Sequence, residues 1–279
     1  MKSMIRAVFA AIMGYIVCSA GAGLAVAQTS QPSFVAHNPA SKVDIHSVPL
    51  ETLVGQMVML GFRGAVLKPD SPIQRDIAQG NLGGVIFFDR DIKLPGKPRN
   101  IVSPAQTRAL ISAMQAEALI PLFVAVDQEG GMVRRLKPET GFMDFPCAAE
   151  LGKATPDQTA EYAARLSAEL RDLGFTMNFA PVADIAVFPD SPAIGRLNRA
   201  FSSDPKTVVA HNRAFLKGLA AHGVIGCLKH FPGHGSARQD THQGVADITK
   251  TWQTAELMPY EQLIRENAVP MIMVGHLYH

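Results

Sequence analysis

The chain has 279 residues, a formal net charge of +2, 47% hydrophobic residues and only 18% charged ones. That balance suits one large globular domain with a substantial core and is less basic than a nucleic-acid binder requires, so no nucleic-acid partner is expected. Three cysteines are too few for a disulfide-built scaffold.

Lys2 and Arg6 precede an apolar run from Ala7, and Ala25-Val26-Ala27 before Gln28 has the small-x-small form that a signal peptidase cuts. Residues 1–27 therefore read as a signal peptide set apart from the fold, and the protein as periplasmic or secreted. The run is long enough to serve as an uncleaved anchor, since a spanning helix needs ~20 apolar residues, but its glycines and cleavage pattern favour removal. A membrane partner is expected only if the segment stays uncleaved. Cys18 falls inside this segment, and Val17 before it fits a lipoprotein cleavage box poorly. Residues 28–49 are polar and proline-dotted and read as a linker. The folded domain is placed at residues 50–279.

From Leu50 onward short, nearly continuous apolar runs recur: Gln56–Phe62, Gly84–Phe88, Leu122–Asp127, Thr176–Asp184, Val224–Phe231 and Met271–His276. They have the form of strands buried on both faces. Cys227 lies inside one of them and reads as a buried small hydrophobe rather than half of a disulfide. Helical patterns lie between the runs, most clearly Ser103–Ala118, Thr155–Leu173 and Asp204–His222. Ser103, Thr155 and Asp204 each precede a proline, which suits an N-cap followed by proline in the first turn. Gly174 and Gly223 fit C-terminal caps.

Strand and helix alternate, which argues for a parallel α/β sheet, either open and doubly wound or closed as a (β/α)8 TIM-type barrel. Asp127, Asp184, Lys229-His230 and His276 fall at the C-terminal ends of their strands, where both architectures gather functional groups. Gly61-Phe62-Arg63-Gly64 lacks the spacing of a dinucleotide fingerprint, which favours the barrel.

The densest chemistry lies between Lys229 and His242. Asp240 and His242 are two residues apart, so in an extended segment both side chains project to one side and the carboxylate can orient the imidazole. A neighbouring carboxylate favours a charged histidine, so His242 can donate a proton and take one back near neutral pH. A solvated loop histidine beside an incidental aspartate is the competing reading. His230 and His234 have the four-residue spacing of two metal ligands on a helix, with Asp240 or His242 completing a zinc site. Pro232 and Gly233 break such a helix, and His234 reads instead as a structural residue hydrogen-bonding the loop backbone. Lys229, at a strand terminus, needs partners if buried; Asp184 or Asp127 can supply one, and a structural ion pair beneath a site is the alternative to ligand binding.

Asp127 opens Asp127-Gln128-Glu129-Gly130-Gly131, followed by Arg134 and Arg135. A carboxylate at a strand end before two glycines suits hydrogen bonding to a polyol, and equally suits an N-cap. Arg199 stands in a loop before Asp204, and the residues alone suggest a surface arginine paired with that aspartate.

Taken together, Lys-His-Phe-Pro-Gly-His-Gly at 229–235 followed by Asp240-Thr241-His242, the upstream Val126-Asp127-Gln128-Glu129-Gly130-Gly131, and the R-x-F-x-x-D-P element at Arg199–Pro205 resemble the β-N-acetylhexosaminidase branch of glycoside hydrolase family 3. The resemblance runs from about Leu50 to the last residue. It implies a (β/α)8 barrel, of which roughly six of eight strand–helix units are expected here. It further implies hydrolysis of terminal N-acetyl-β-D-glucosaminides with retention, through a covalent glycosyl-enzyme. His242 matches the family's acid/base and Asp240 the aspartate that assists it. Asp127, Arg135, Arg199, Lys229 and His230 match its sugar-binding residues. No cofactor and no metal are implied, and the partner is a carbohydrate containing N-acetylglucosamine. Met132 departs from the family, which commonly has arginine there.

Retention needs an acid/base and a nucleophile on either side of the bond. The family's nucleophile is an aspartate ending the seventh strand, whereas His279 follows the sixth run, and Asp247 is a poor substitute. The expectation is a fragment of a longer enzyme, unstable and without turnover in isolation. A metal-dependent hydrolase on the same fold and an inactive sugar-binding protein are the alternatives. Muropeptide, chitin oligomer and glycoconjugate all stay open as substrates.

Overall fold

The computed structural model describes residues 47–239, 244 and 246–279. The signal segment, nearly all of the linker, and Asp240 and His242 lie outside the described residues. In chain order the elements are α1 (Leu50–Gly55), β1 (Met59–Gly61), α2 (Pro72–Ala78), β2 (Gly84–Phe87), α3 (Pro104–Glu117), β3 (Phe123–Val126), α4 (Ala148–Leu151), α5 (Pro156–Leu173), β4 (Met177–Asn178), α6 (Pro205–Ala220), β5 (Ile225–Gly226), β6 (Leu228–Phe231), β7 (Ala246–Asp247), α7 (Met258–Arg265), β8 (Ile272–Val274) and β9 (Leu277–Tyr278).

Strands β1 to β5 form one parallel sheet in chain order. Beyond it Val182 bridges Lys229 in parallel, and β6 pairs in parallel with β8. Neighbours therefore follow the sequence without reversal. A doubly wound sheet reverses its strand order at the ligand crevice. A sheet in which every crossover steps the same way keeps its helices on one side and winds as a barrel. Over the described residues the barrel-type α/β expectation is the one observed, as part of a barrel.

Two expected strands are broken. Thr176–Asp184 pairs only at Met177 and Asn178 before Pro181, which has no N–H for the ladder, and resumes at Val182. Val224–Phe231 divides into β5 and β6 at Cys227, whose N–H turns to the Ala180 carbonyl at 2.8 Å. Cys227 is buried, and burial pushes its thiol up to about 12. The first run shortens to β1 because Gln56 ends α1 and sends its side-chain amide to the carbonyls of Gly80 and Leu82.

The helix ends follow local chemistry. Ser103 accepts from Gln106 N–H, Thr155 from Gln158 N–H and Asp204 from Lys206 and Thr207 N–H, each just before a proline. Gly174 closes α5 in the left-handed conformation, as expected. Gly223 also has positive φ, but it lies two residues beyond the cap residue of α6, Ala221.

The core lies between the sheet and the outer helices. Phe87, fully buried, meets Phe62 and Phe175 edge-on with ring centroids 5.1 and 5.4 Å away. Helices α5 and α6 approach closely at Gly218, where a Cβ would stand 2.5 Å from the Ala160 carbonyl and from Ala163 Cβ. The same seam buries a Ser167 hydroxyl donating to the Leu219 carbonyl and a Thr159–His211 hydrogen bond.

Candidate active site

The polar groups at the C-terminal strand ends form one connected cluster. Val126 ends β3, and Asp127 follows it into a loop that returns through Arg135. Gln128 shapes this loop from within. Its fully buried side chain accepts from the N–H groups of Arg135 and Leu136 at 2.9 and 3.0 Å and donates to the Leu136 carbonyl at 3.0 Å. Its backbone exchanges hydrogen bonds with the Asn178 amide on β4, at 3.0 and 2.9 Å. Arg135 is thereby carried back beside Asp127, 3.7 Å from Oδ2.

The turn also requires glycine. Gly130 has φ of 96°, and a Cβ there would stand 2.1 Å from the Pro146 carbonyl oxygen. A side chain at this position meets both backbone strain and a clash.

Lys229 enters from β6 and is 2% exposed; its ammonium lies 2.9 Å from Asp127 Oδ1 and 2.7 Å from Glu129 Oε1. Arg199 grips the same Glu129 with two bonds, Nη2 to Oε1 at 2.7 Å and Nε to Oε2 at 2.8 Å, and donates a third to the Ala193 carbonyl. Next along the chain, His230 places Nδ1 2.7 Å from Asp184 Oδ2 and Nε2 3.3 Å from Arg199 Nη2. In its neutral form the ring therefore carries its proton on Nδ1, donates to Asp184, and accepts from Arg199 at Nε2.

Adjacent residues of a regular strand face opposite ways, yet Lys229 and His230 both reach this cluster. The ladder explains it: Lys229 pairs with Met273 and Phe231 with Val274, so the register skips His230.

The electrostatics follow from the pairing. For Asp127 and Glu129 burial alone raises the pKa, but the Lys229 charge, joined by Arg135 and Arg199 respectively, outweighs it and holds both carboxyls below their usual range. Burial likewise acts against the Lys229 ammonium, and Asp127 and Glu129 overcome it to hold the amine above its ordinary value. At the outer edge Asp89, just past β2, lies 3.9 Å from Arg135 and 2.6 Å from Lys137. Four carboxylates, Asp89, Asp127, Glu129 and Asp184, thus stand among four cations, Arg135, Lys137, Arg199 and Lys229. The buried layer is Lys229 and Glu129; Asp127, His230 and Arg135 keep 17, 16 and 24% of their side-chain surface open above it.

The structure brings together Asp127, Arg135, Arg199, Lys229 and His230, all singled out in the sequence. It corrects one pairing and decides another. Arg199 is not a surface partner of Asp204, which caps α6, but is mostly buried against Glu129. Lys229 takes Asp127, one of the two partners expected, while Asp184 turns to His230 and to the N–H of His234 at 2.8 Å. His234 itself is buried. Arg199 at His230 Nε2 and Asp184 at Nδ1 occupy both ring nitrogens, which disfavours His230 as a metal ligand.

Glu129, Gln128 and Asp89 were missed as site residues. Glu129 had one sequence signal, an acidic residue directly before the two glycines of a tight turn.

A family model for the glycosyl hydrolase family 3 N-terminal domain matches residues 49–279. The chain belongs to glycosyl hydrolase family 3. Within that family it is 40% identical over 229 residues to a protein of Mycobacterium tuberculosis named beta-hexosaminidase LpqI, covering 80% of this chain and 54% of that one. Beta-hexosaminidase A of Pseudoalteromonas piscicida is 32% identical over 256 residues, covering 83% and 42%. The solved structure of a family 3 beta-N-acetylglucosaminidase from Paenibacillus sp. superposes with a TM-score of 0.72 at 32% identity, covering 83% of this chain and 43% of that one. The chain spans about half the length of the curated relatives it matches.

Proposed function

We propose that this cluster binds the terminal N-acetyl-β-D-glucosaminyl unit of a carbohydrate, as part of the active centre of a retaining β-N-acetylhexosaminidase. The observation that carries the reading is the charge-balanced, pre-positioned set of Asp127, Arg135 and His230 held over the buried Lys229–Glu129–Arg199 layer, with the Asp184 carboxylate behind His230. Fixed donors and acceptors without net charge suit a neutral polyol, whose hydroxyls need orientation more than charge. The relatives named beta-hexosaminidases support it.

In this reading His242 is the acid/base and Asp240 its orienting carboxylate. The residues that lead to them, Gly233–Ala237, are buried, and Asp184 pins that turn through the His234 N–H. Asp127, Glu129 and Asp184 are each committed to a cation or an imidazole. The nucleophile that retention requires is therefore assigned to none of these three. Export of the protein, through the signal segment at residues 1–27, belongs to the same reading. Among the described residues no helix is long and apolar enough to cross a membrane.

Calorimetric titration of the chain with N-acetylglucosamine tests the assignment. Binding is expected, lost in Asp127→Ala and retained in His242→Ala. Hydrolysis of an aryl N-acetyl-β-glucosaminide, in any form of the protein that shows it, is expected to vanish with His242→Ala or Asp240→Ala. Absence of binding, or binding indifferent to Asp127→Ala, overturns the reading.

A further inference from the structure

Behind the turn that leads away from His230, a carboxyl is buried without a counter-charge. Glu256, on the 3₁₀ turn Thr254–Leu257, has none of its surface exposed. Asp127, Glu129 and Asp184 each face a cation or an imidazole, whereas among the described residues no cation reaches Glu256. Its Oε1 accepts from the Gln253 N–H at 3.2 Å, and Oε2 is enclosed without a well-aligned partner. Ser236, buried on the turn, approaches Glu256 through both its hydroxyl and its N–H. A carboxylic acid can donate to that hydroxyl, while a carboxylate leaves a buried charge with nothing to neutralise it. Burial, to which the Asp184 charge adds, pushes the Glu256 carboxyl above its ordinary range, although the Ser236 and Gln253 donors act the other way. The other titratable group coupled to it among the described residues is the buried Tyr260 on α7.

The turn is clamped from both faces. On one side Asp184 accepts from the N–H groups of His230 and His234 at 3.2 and 2.8 Å, and a Cβ on Gly235 would stand 1.6 Å from the Ile185 carbonyl oxygen. On the other side Trp252 Nε1 donates to the Pro232 carbonyl at 3.2 Å, and a Cβ on Gly233 would stand 2.6 Å from Glu256 Cβ and 2.8 Å from Oε2. Glu256 thus fills the space into which the turn would otherwise relax.

We propose that Glu256 is a positioning residue for sugar binding: in its neutral form it holds the turn from Pro232 to Ser236 against Asp184, and so fixes the His230 ring over the Lys229–Glu129–Arg199 layer. It touches no sugar itself. Loss of its proton adds a second buried negative charge to that of Asp184 and loosens the turn, so affinity falls as pH rises through its titration. The inference rests on the function proposed above and deepens it.

The test compares the chain with its Glu256→Gln and Glu256→Ala variants from about pH 5 to 8. Two readouts are taken: calorimetry with N-acetylglucosamine, and the His230 Nδ1 proton resonance, assigned through its loss in His230→Gln. Glutamine keeps the shape and cannot ionise, so Glu256→Gln should match the parent in both readouts at the acid end and bind several-fold more tightly than the parent at the alkaline end. Glu256→Ala should bind about tenfold more weakly throughout, with the His230 resonance shifted. A role confined to stability would leave the affinity of every folded variant equal to the parent's. Parent-like binding by Glu256→Ala, or a ratio of Glu256→Gln to parent affinity that does not grow with pH, overturns the inference. Should Glu256→Ala fail to fold, the glutamine comparison decides alone. If the parent binds no N-acetylglucosamine, the proposed function falls, and the pH course of the His230 resonance still decides the positioning role: identical courses in parent and Glu256→Gln overturn it.

Discussion

Lys229 and Glu129 form an ion pair at 2.7 Å in which the lysine side chain is only 2% and the glutamate 6% exposed. Neither charge is stable there alone, because each has given up its water. The arrangement holds because Glu129 also receives two bonds from Arg199 and Lys229 also reaches Asp127. Asp127, Arg135 and His230 stand on this network, so perturbing it tests both stability and the proposed binding.

Removing Glu129 leaves Lys229 and Arg199 facing one another in the interior. Glu129→Ala should cost about 3–5 kcal/mol, the range for breaking one side of a buried pair. Urea unfolding of the variant beside the parent measures it. A change within about 0.5 kcal/mol, as at an ordinary surface site, would show that the network carries no stability.

The same pairs set the acid limit. Asp127 and Glu129 titrate below their unfolded range of about 4, so their contribution is fully present above that range and is lost as pH falls through their folded values. Lys229 is shifted upward, so its contribution is present below about 10 and is lost only as pH rises beyond its folded value. The thermal midpoint should be level between about pH 5 and 9 as far as these groups decide it, and should fall steeply below about pH 4. The Glu129→Gln variant should show a shallower acid slope than the parent.

In the proposed function, Asp184 acts on sugar binding through His230. Fully buried, it accepts from the His230 ring and from the backbone N–H groups of His230 and His234. Asp184→Asn replaces an acceptor by an amide that has to present N–H to one of these donors. N-acetylglucosamine affinity should fall about tenfold or more, the worth of a hydrogen bond to a charged group. A His230 Nδ1 proton resonance present in the parent and shifted or lost in the variant would separate this positioning role from general destabilisation.

Gly130 is the most demanding backbone position of the site. Gly130→Ala meets a left-handed φ and the Pro146 carbonyl together, and should destabilise by about 2–5 kcal/mol. Thermal unfolding compared with Gly223→Ala, where a Cβ meets nothing within 4 Å, isolates the steric part from the conformational one.

Much of this is legible in the sequence. The strand runs and the caps at Ser103, Thr155 and Asp204 are local features, governed by residues within a few positions of each other, and the structure shows them near where they were read. Helix α7 was not read, since only eight residues form it, after a turn of 3₁₀ helix that blurs the periodicity. The assigned acid/base pair, Asp240 and His242, lies outside the described residues.

By itself the sequence determined the alternation of strands and helices and the placement of polar residues at strand ends, because hydrophobic periodicity and capping act over short stretches of chain. Who pairs with whom was decided by tertiary structure alone. Arg199 meets Glu129 across 70 positions and Lys229 meets Asp127 across 102, while the nearby Asp204 caps its own helix instead. In the interior a charge takes whichever counter-charge the neighbouring strand end presents, and that neighbour is set by the barrel's winding, not by distance along the chain.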